Sequence, residues 1–378
     1  MKITIIGAGI GGLTTAIALR QKGHTVEIFE TSREFTKAGS GINLAINAMQ
    51  IYKRLGIYND IVNAGSYSNA MVVADSALKE ISRIDLKIAE HTYGVKTVAI
   101  HRATLHKTLL AHLKGTPIHL NKKLKSLTQL NNSVDLLFDD GTRHSAAIVI
   151  GADGIHSAVR KSIFPESTVR IAKQVCWRGI TKVRIPDKYQ TELNELWGRG
   201  KRFGFVQISK DEVYWYALAN YKQDYKTEYE AVALEKMFED FNPMIGKIIA
   251  ATDRSNIITN EMMDLKPIKM WHYKNVCLVG DAAHATTPNM GQGACQAIES
   301  AYVLAACLST GDALETAFSN FEHLRKKKAV AVVKNSWRVG KISQLESRLL
   351  IKVRNSAMKM MPKKRLQKQS TSIFELNY

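Results

Sequence analysis

The sequence predicts an α/β fold, and three segments carry that prediction. Each joins a short apolar run, typical of a buried strand, to a glycine-containing loop and then to a helical pattern. The segments are residues 2–23, 146–160 and 276–308. Strands and helices that alternate in this way are typical of a mostly parallel sheet with helices packed on its faces.

The first segment has the sequence of a phosphate-binding turn. Lys2–Ile6 is rich in β-branched residues, and Gly7, Gly9 and Gly12 follow it in the pattern G-x-G-x-x-G. A helical pattern then continues to Gly23, a typical C-terminal cap. Glycines at this spacing allow a tight turn and let a pyrophosphate approach the helix N-terminus.

An acidic residue at the end of the next strand strengthens this interpretation. The strand is predicted at Thr25–Phe29, and Glu30 follows it, 18 residues after Gly12. A carboxylate at this position accepts hydrogen bonds from a ribose. A plain strand-to-helix turn explains the glycines, but it does not explain the strand, the helix and the acid together. The segment therefore predicts dinucleotide binding.

The stretch 276–300 places a carboxylate beside a helix N-terminus. Residues 276–279 are typical of a buried strand, and Asp281 follows them. Pro288 and the Gly-Gln-Gly run at 291–293 then interrupt the chain before a helical pattern begins. A helix N-terminus carries free N–H groups and about half a positive charge. We therefore expect this loop to hold a group that becomes anionic.

Three further signals are less specific. Residues 38–44 are rich in glycine and either pass close to a planar cofactor or form an ordinary loop. Arg102 stands at a predicted helix start, where a cation is unfavourable for the helix dipole, so it serves an anion elsewhere or is solvated. Asp153 follows a buried strand predicted at 146–150, which comes after a hairpin predicted at 133–145.

Residues 170–271 predict a mixed sheet inserted between the cofactor-binding segments. Strand-like runs that alternate or carry aromatic residues occur at 174–185, 203–208 and 213–219, and a helix is predicted at 228–241. The aromatic candidates for a substrate cavity, each of which packs in a core as an alternative, are Trp177, Phe203, Phe205, Tyr214, Trp215 and Tyr216. We select Phe203, Phe205 and Trp215, together with Arg178, as candidate substrate residues. An edge salt bridge is the alternative role for Arg178.

Composition limits the classes of function. A chain of 378 residues, 45% of them hydrophobic, is long enough for two or three domains. There is no apolar run of about 18 residues, so no transmembrane helix is predicted. The first strand begins at Lys2, which leaves no room for a signal peptide ahead of it. The four cysteines have no paired spacing, which predicts a reduced, cytoplasmic protein with no metal site.

The net charge of +19 is concentrated in one region. Between Arg325 and Lys368 there are 15 Lys and Arg residues and a single acid, Glu346, a net charge of +14. A nucleic-acid-binding domain would be more uniformly basic, so we expect no nucleic-acid partner.

Apolar residues in this basic region recur at helical spacing. They are Leu345, Leu349, Leu350, Val353, Met360 and Met361. We expect this stripe to pack on the rest of the protein. The alternative is a weak contact with an anionic membrane surface, made with the cations Lys359, Lys363, Lys364 and Arg365.

Residues 7–12 with Glu30, 153–160 and 280–293 resemble, in this order, the motifs of the single-component flavin-dependent aromatic hydroxylases. This family includes 4-hydroxybenzoate, salicylate and urate hydroxylases, with zeaxanthin epoxidase as a relative. The resemblance covers residues 1–365 and implies FAD as the cofactor.

The resemblance also implies a domain organisation. A Rossmann-like FAD-binding domain of the glutathione-reductase type is expected at 1–169 and 272–340, and an inserted mixed-sheet substrate domain at 170–271. Strands around 68–100 are expected to join the substrate domain. A basic C-terminal helix and tail are expected at 341–378.

For the adenosine half of FAD, the resemblance implies roles for three glycines and three other residues. Gly9 and Gly12 would approach the pyrophosphate, and Gly7 is a further cofactor-binding candidate in the same turn. Glu30 would bind the adenosine ribose, Arg102 would reach FAD, and Leu124 would contact the adenine through its backbone.

For the flavin half, the resemblance implies that Asp281 binds a ribityl hydroxyl. The backbone of Gly291 and Gly293 would face the pyrimidine edge of the flavin, and Pro288 would lie near its reactive edge. Asp153 would take part in FAD and NAD(P)H use, or would mainly stabilise its own turn.

Four further residues lie in or near the third motif, and we expect none of them to be catalytic. We expect His284 to be a motif or packing histidine rather than a general base, and Cys295 to be a small core residue. Many members of the family carry Glu-Asp where this chain has Glu299 and Ser300. That departure leaves FAD binding intact but affects the fine positioning of the loop.

The reaction implied by the resemblance is a monooxygenation. NADH or NADPH would reduce FAD, and O2 would form a C4a-hydroperoxide that hydroxylates or epoxidises an aromatic or related apolar substrate. The alternatives are an FAD-dependent reductase of isoprenoid double bonds and a flavin-binding redox sensor without turnover. The Trp-x-Trp-x-Ile-Pro run of flavin halogenases is absent. Both a monomer and a homodimer are compatible with these expectations.

Overall fold

The computed structural model describes residues 1–35, 40–229 and 233–378. Its strands form four sheets. In chain order the strands are β1 (Lys2–Ile6), β2 (Thr25–Phe29), β3 (Gly41–Leu44), β4 (Ser66–Ser68), β5 (Ala70–Asp75), β6 (Glu80–Asp85), β7 (Thr97–His101), β8 (Ile118–His119), β9 (Leu124–Gln129), β10 (Val134–Phe138), β11 (Arg143–Ala146), β12 (Val149–Gly151), β13 (Val169–Lys182), β14 (Glu192–Trp197), β15 (Lys201–Gln207), β16 (Glu212–Asn220), β17 (Ile258–Leu265), β18 (His272–Tyr273) and β19 (Val276–Leu278).

The helices lie mainly around the first sheet and towards the C-terminal end of the chain. They are α1 (Ile10–Gln21), α2 (Ile46–Arg54), α3 (Tyr58–Ala64), α4 (Leu86–Tyr93), α5 (Arg102–Ala111), α6 (Ala158–Ile163), α7 (Tyr225–Tyr229), α8 (Leu234–Met237), α9 (Pro243–Ala250), α10 (Asp281–His284), α11 (Gly293–Leu308), α12 (Leu314–Ser343), α13 (Arg348–Met360) and α14 (Lys363–Thr371). In the described part of the chain, no helix combines the length and the apolar character needed to cross a membrane.

A six-stranded sheet in the order β18-β19-β12-β1-β2-β8 forms the centre of the first layer. All its pairings are parallel except that of the edge strand β18 with β19. Four of the five residues in each of β1 and β2 are buried, as expected for parallel strands covered on both faces. The carboxyl ends of β1, β12 and β19, from which the three motifs continue, therefore lie side by side.

A seven-stranded mixed sheet forms the second layer, in the order β17-β13-β16-β15-β14-β5-β6. Only β14 and β5 pair in parallel, and the other neighbours are antiparallel. Strands β5 and β6 enter this sheet from a distant part of the sequence, as expected for part of the 68–100 region. Strand β7 instead pairs with β3 and β4 in a small separate sheet.

Three local predictions differ from the structure. The strand predicted at 146–150 is divided, because Ala146 ends the hairpin strand β11 and only Val149–Gly151 joins the parallel sheet. The helix predicted at 228–241 is seen only as α7 and α8 on either side of 230–232, and α8 ends at Met237 because Phe238 turns into the core. Of the glycine-rich stretch, 38–39 lie outside the described residues and Gly41–Leu44 forms β3.

The expectation that the C-terminal apolar stripe packs on the protein is wrong for four of its six residues. Leu349, Leu350, Val353 and Met360 are exposed on α13. The helix instead faces the protein with Arg354, which is buried and donates hydrogen bonds to the carbonyl oxygens of residues 342 and 343.

Candidate active site

The glycines of the first motif pack against the second motif. Gly7 has a φ of +105°, and a Cβ atom on it would lie 2.5 Å from the Ala152 carbonyl oxygen. A Cβ on Gly12 would lie 1.9 Å from the Gly7 carbonyl oxygen. By contrast, a Cβ on Gly9 would meet no atom of residues 1–35, 40–229 or 233–378 within 4 Å. Gly7 and Gly12 therefore close the turn, and the backbone at Gly9 faces open space.

Glu30 ties the end of β2 to this turn. One carboxylate oxygen accepts a hydrogen bond from the Ala8 N–H at 2.6 Å, and the other accepts one from the Ser32 N–H at 2.8 Å. A carboxylate has about four acceptor sites, so both oxygens can also accept from a ribose hydroxyl. The structure thus places Glu30 at the glycine turn, as the spacing in the sequence predicts.

Asp153 stabilises the turn that follows β12. Its carboxylate accepts hydrogen bonds from the Ser157 hydroxyl at 2.5 Å and from the Val159 N–H at 3.1 Å. Burial raises the pKa of the Asp153 carboxyl, and these hydrogen bonds oppose that rise. Arg160, fully buried beside this turn, donates to the Ala282 carbonyl oxygen at 3.0 Å and so joins the second motif to the third.

Asp281 and Arg102 lie in the same cleft, although 179 positions separate them in the sequence. Burial raises the pKa of the Asp281 carboxyl, while the positive charges of Arg102 and Arg160 lower it. Both Asp281 and Arg102 nevertheless have solvent-exposed side chains. A carboxylate that is surrounded by protein and still open to solvent lines a deep cleft.

The loop before α11 presents backbone N–H groups to this cleft. Gly291 has a φ of +62°, and a Cβ on it would meet nothing within 4 Å among the residues that the structure describes. No side chain caps the N-terminus of α11, so its first N–H groups remain free to bind an anion. A Cβ on Gly293 would lie 4.0 Å from an Asp281 carboxylate oxygen, which places acid and helix N-terminus together.

The third motif packs closely on the first because of one alanine. A Cβ on Gly11 would lie 3.3 Å from the Cβ of Ala297 in α11, and a Cβ on Gly280 would lie 3.0 Å from the same atom. Small residues at these three positions let α1 and α11 approach each other. The open backbone at Gly9 and the free N-terminus of α11 therefore belong to one continuous cleft.

A buried ion network supports this cleft from behind. Glu299 accepts hydrogen bonds from Asn47 at 2.5 Å, Arg325 at 2.7 Å, and Lys328 and Tyr378 at 2.9 Å each. Asn47 also donates to Gln292, the residue before Gly293, at 3.0 Å. The network therefore fixes the residue that immediately precedes α11. Sequence analysis noted Glu299 but did not identify its partners.

His284 and Cys295 are both buried in packed surroundings. A ring nitrogen of His284 lies 3.0 Å from the Ser300 hydroxyl, and its ring centroid lies 5.0 Å from that of Trp271. Burial and the charge of Arg325 lower the pKa of His284 to about 3, so it is neutral at ordinary pH. Burial raises the pKa of Cys295 to about 12. Neither environment is that of a general base or a nucleophile.

Three of the four candidate substrate residues lie on the wrong face of the seven-stranded sheet. Phe203, Phe205 and Trp215 are at most 1% exposed and pack with residues of α9 in a hydrophobic core. A Cβ on Gly179 would lie 2.7 Å from the Trp215 ring. The prediction of a substrate cavity at these three rings is therefore corrected, because period-two alternation turns them away from the cleft.

Arg178 lies on the opposite face of the sheet, together with Tyr214 and Tyr216. In the sheet register Arg178 pairs with Tyr216, and residues opposite each other share a face. Arg178 and Arg102 both lie near Tyr214, where they oppose the burial that raises the pKa of its hydroxyl. This face of the sheet covers the cleft that contains Arg102 and Asp281.

A polar link from this sheet to the Pro288 loop was missed by sequence analysis. Arg202 is 1% exposed and donates hydrogen bonds to Asn289 and, at 3.1 Å, to Glu195. Asn289 donates to the Thr287 hydroxyl and to the Ser336 carbonyl oxygen, each at 2.9 Å. In the sequence, the one sign of a role for Asn289 is its position next to Pro288, and this position does not identify Arg202 as its partner.

The cleft suits a dinucleotide with a flavin at one end. The open backbone at Gly9 beside the N-terminus of α1 suits a pyrophosphate, and Glu30 lies next to it for a ribose. Asp281 and the free N-terminus of α11 suit a polyhydroxyl chain and an electron-rich ring edge. Leu124 starts β9 with a buried side chain, so it can offer only backbone groups.

Comparison with known proteins agrees with this arrangement. Residues 1–336 match the family described as FAD binding domain. Aurachin C monooxygenase/isomerase of Stigmatella aurantiaca is 32% identical over 372 residues, which cover 97% of this chain and 96% of that protein. The 2-heptyl-3-hydroxy-4(1H)-quinolone synthase of Pseudomonas aeruginosa is 32% identical over an alignment of 383 residues, which covers 96% of this chain and 94% of that protein.

A solved structure of Klebsiella pneumoniae HpxO with FAD and uric acid superposes with a TM-score of 0.89 at 25% identity, covering 99% of this chain and 96% of that chain. These similarities confirm the fold class, the cofactor and the family resemblance predicted from the three motifs. Because the family match spans most of the chain, and relatives at 32% identity align along nearly all of it, the chain belongs to the FAD binding domain family and is an FAD-dependent monooxygenase.

Proposed function

We propose that this enzyme uses NADH or NADPH and O2 to hydroxylate, or to epoxidise, an oxygen-bearing aromatic or heteroaromatic ring. The observation that carries the proposal is the placement of Arg178 and Tyr214 over the cleft that contains Asp281 and Arg102. A cation and a hydroxyl group together recognise a ring oxygen, whether it is an oxo, hydroxyl or acid group. The 4(1H)-quinolone and the uric acid named for two similar proteins are rings of this kind.

For FAD, we propose the roles that the family resemblance implies. Gly7, Gly9 and Gly12 would surround the pyrophosphate, and Glu30 the adenosine ribose. Leu124 would contact the adenine through its backbone, Asp153 would hold its turn in place, and Arg102 would counter negative charge on FAD. On the flavin side the proposed residues are Asp281, Pro288, Gly291 and Gly293.

When bound, FAD would supply the redox chemistry by which NAD(P)H and O2 are used to place one oxygen atom in the substrate, with the other lost as water. The side chains of the enzyme orient and shield the reactants. The N-terminus of α11 favours negative charge beside Gly293. Arg178 and Tyr214 hold the substrate oxygen, and the buried residues Val206 and Ile208, packed on Ala99, help to exclude water.

The proposed domains are those expected from the sequence, with β5 and β6 added to the substrate-binding sheet at 170–271. All proposed FAD ligands come from one chain, so a monomer and a homodimer would both be active. The four buried, unpaired cysteines agree with a proposed location in the reducing cytoplasm.

The test is substrate-stimulated oxidation of NADH or NADPH by the FAD-loaded enzyme in the presence of ¹⁸O2. A panel of hydroxylated benzoates, pyridines, purines and 4(1H)-quinolones provides the candidate substrates. We expect one compound to accelerate nicotinamide oxidation and to gain one ¹⁸O atom. Arg178→Met is expected to lower kcat/KM for that compound at least about tenfold, the loss of roughly one charge-assisted hydrogen bond. Arg184→Met, at an exposed arginine, serves as the matched control.

Two results would replace the proposal by an alternative. Nicotinamide oxidation that proceeds without O2 and saturates an isoprenoid double bond would identify a reductase. FAD that stays oxidised when NADH or NADPH is added, with every compound of the panel present, would favour a redox sensor.

A further inference from the structure

Helix α13 has one face that rests on the protein. Arg354 is 7% exposed, its guanidinium lies 5.0 Å from the centre of the Trp197 ring, and Ile351 and Met358 are half-buried on the same side. The helix also contacts β6, the edge strand of the seven-stranded sheet. Helix α13 is therefore a fixed element of the surface beside the substrate-binding sheet.

A second face of α13 is apolar and open to solvent. Leu349 is 69% exposed, Leu350 50%, Val353 58% and Met360 82%. With 100° of rotation per residue, these four side chains fall within about 100° of the helix circumference. Single exposed apolar residues are ordinary, but a contiguous apolar face on one helix marks an interaction surface.

A third face, next to the apolar one, is basic. Arg348, Lys352 and Lys359 are all exposed and fall within about 40° of each other around the helix. No Asp or Glu occurs from 347 to 374, whereas this stretch contains eight Lys and Arg residues. The apolar face thus has a cationic border and no acid on the same helix.

We propose that α13 docks this enzyme on the surface of an anionic lipid bilayer. The apolar side chains enter the boundary between headgroups and acyl chains, and Arg348, Lys352 and Lys359 bind headgroup phosphates. The positive charge of α13 favours a lipid surface over a second copy of the chain as the partner of this face. Two copies joined symmetrically through α13 would bring their basic faces together without any acid on the helix to neutralise them.

The position of α13 determines which side of the enzyme would face the membrane. Because α13 lies against β6 and Trp197, docking holds this edge of the seven-stranded sheet at the membrane. The surface is separate from the FAD cleft, so the inference does not depend on the proposed reaction.

The test is flotation of the full-length, FAD-loaded enzyme with vesicles of phosphatidylglycerol and phosphatidylcholine, or of phosphatidylcholine alone. We expect binding to the anionic vesicles only, and weaker binding as salt rises. Leu349→Ser/Val353→Ser and Lys352→Glu/Lys359→Glu should each weaken partitioning at least about tenfold. The matched controls at exposed positions elsewhere are Leu130→Ser/Ile171→Ser and Lys22→Glu/Lys107→Glu, which should bind as the unaltered chain does.

FAD content and turnover in detergent-free buffer show whether each variant has folded. The proposal is wrong if the unaltered enzyme ignores anionic vesicles, or if Leu349→Ser/Val353→Ser floats as well as the unaltered enzyme. Analytical sedimentation tests the competing hypothesis that α13 forms a dimer interface. A dimer that becomes a monomer in Leu349→Ser/Val353→Ser, with no lipid binding by either form, would assign this face to a second copy of the chain.

Discussion

Gly9 and Gly12 belong to the same motif, but the structure requires them for different reasons. A Cβ at residue 12 would overlap the Gly7 carbonyl oxygen at 1.9 Å, whereas a Cβ at residue 9 would meet no atom of the described residues within 4 Å. Gly9 also has an ordinary φ of −69°, so alanine is tolerated by the backbone. Since the described part of the chain gives no steric reason for glycine at residue 9, the open space points to a ligand that occupies it.

Alanine substitutions separate these two requirements. Gly12→Ala is expected to lower the free energy of unfolding of the apoprotein by about 1–3 kcal/mol, because the turn must shift. Gly9→Ala should change it by less than about 0.5 kcal/mol. Both should weaken FAD binding at least about tenfold, as measured by flavin fluorescence titration. Unaltered FAD affinity in Gly9→Ala would show that the pyrophosphate lies elsewhere.

His284 provides a pH-dependent contribution to stability. Its pKa in the folded protein is about 3, below the ordinary value of 6.5, because it is buried and close to Arg325. Between these values the unfolded chain binds one more proton than the folded chain, so the free energy of unfolding falls as pH decreases through this range. From pH 7.5 to 5.0 the loss from His284 is about 2 kcal/mol.

The variant His284→Gln should remove this share of the acid sensitivity. Urea unfolding at pH 7.5 and pH 5.0 measures it, and the difference between the two values should be smaller in the variant by about 2 kcal/mol. An unchanged difference would mean that His284 is already charged in the folded protein or gains water on acidification.

Strand β16 shows what sequence alone can and cannot determine about a sheet. Alternation predicts that Tyr214 and Tyr216 face one way and Trp215 the other. It does not predict which face meets the cofactor, because that depends on α9 covering one side and β3 the other. A Cβ on Gly41 of β3 would lie 2.3 Å from the Tyr214 ring, which identifies the inner face. Selecting Trp215 as a substrate residue was therefore a choice of the wrong face.

Substitutions on the two faces of β16 should have different consequences. Trp215→Ala should destabilise the protein by about 3–5 kcal/mol, because it empties a packed core site and removes the hydrogen bond to Thr252. Tyr214→Phe should alter stability by less than about 1 kcal/mol but raise KM for the substrate. Denaturant unfolding and steady-state kinetics measure the two effects. A selective rise in KM in a stable Trp215 variant would reverse this assignment.

On the scale of the whole molecule, the predictable part of the site is the part that lies at strand ends. Glu30, Asp153 and Asp281 each directly follow or closely follow a parallel strand, and parallel strands bring their carboxyl ends to one edge. The link from Arg202 to Asn289 joins residues 87 positions apart, one on β15 and the other in the loop between α10 and α11, and no local pattern encodes it. The fold class is thus readable from the sequence, whereas contacts between the two layers are not.

The basic region between Arg325 and Lys368 contains both internally paired and exposed cations, and a charge count does not distinguish them. Arg325 and Lys328 are used inside the protein by Glu299, and Lys326 pairs with Glu322. Arg348, Lys352 and Lys359 remain exposed on α13. The first group is neutralised within the protein, so the net charge of +14 overstates the free positive charge of this region.

The final residues of the chain close the network around Glu299. Phe374 is 3% exposed in the main core, its carbonyl oxygen accepts from Gln50 at 2.8 Å, and Tyr378 donates to Glu299 at 2.9 Å. Lys328 also donates to the Glu375 carbonyl oxygen at 2.7 Å. These contacts lie behind the start of α11, so the C-terminal tail supports the flavin side of the cleft.

Removing this tail should therefore affect both stability and FAD binding. Phe374→Ala is expected to cost about 3 kcal/mol of unfolding free energy, and Tyr378→Phe about 1 kcal/mol, because Glu299 keeps its other donors. Deleting 373–378 should cost at least as much as Phe374→Ala and also weaken FAD binding, since Glu299 reaches Gln292 through Asn47. Denaturant unfolding and flavin fluorescence provide the measurements. A truncated enzyme with full stability and unchanged FAD affinity would show that the tail only rests on the surface, and that Asn47, Arg325 and Lys328 hold Glu299 and the loop in place without it.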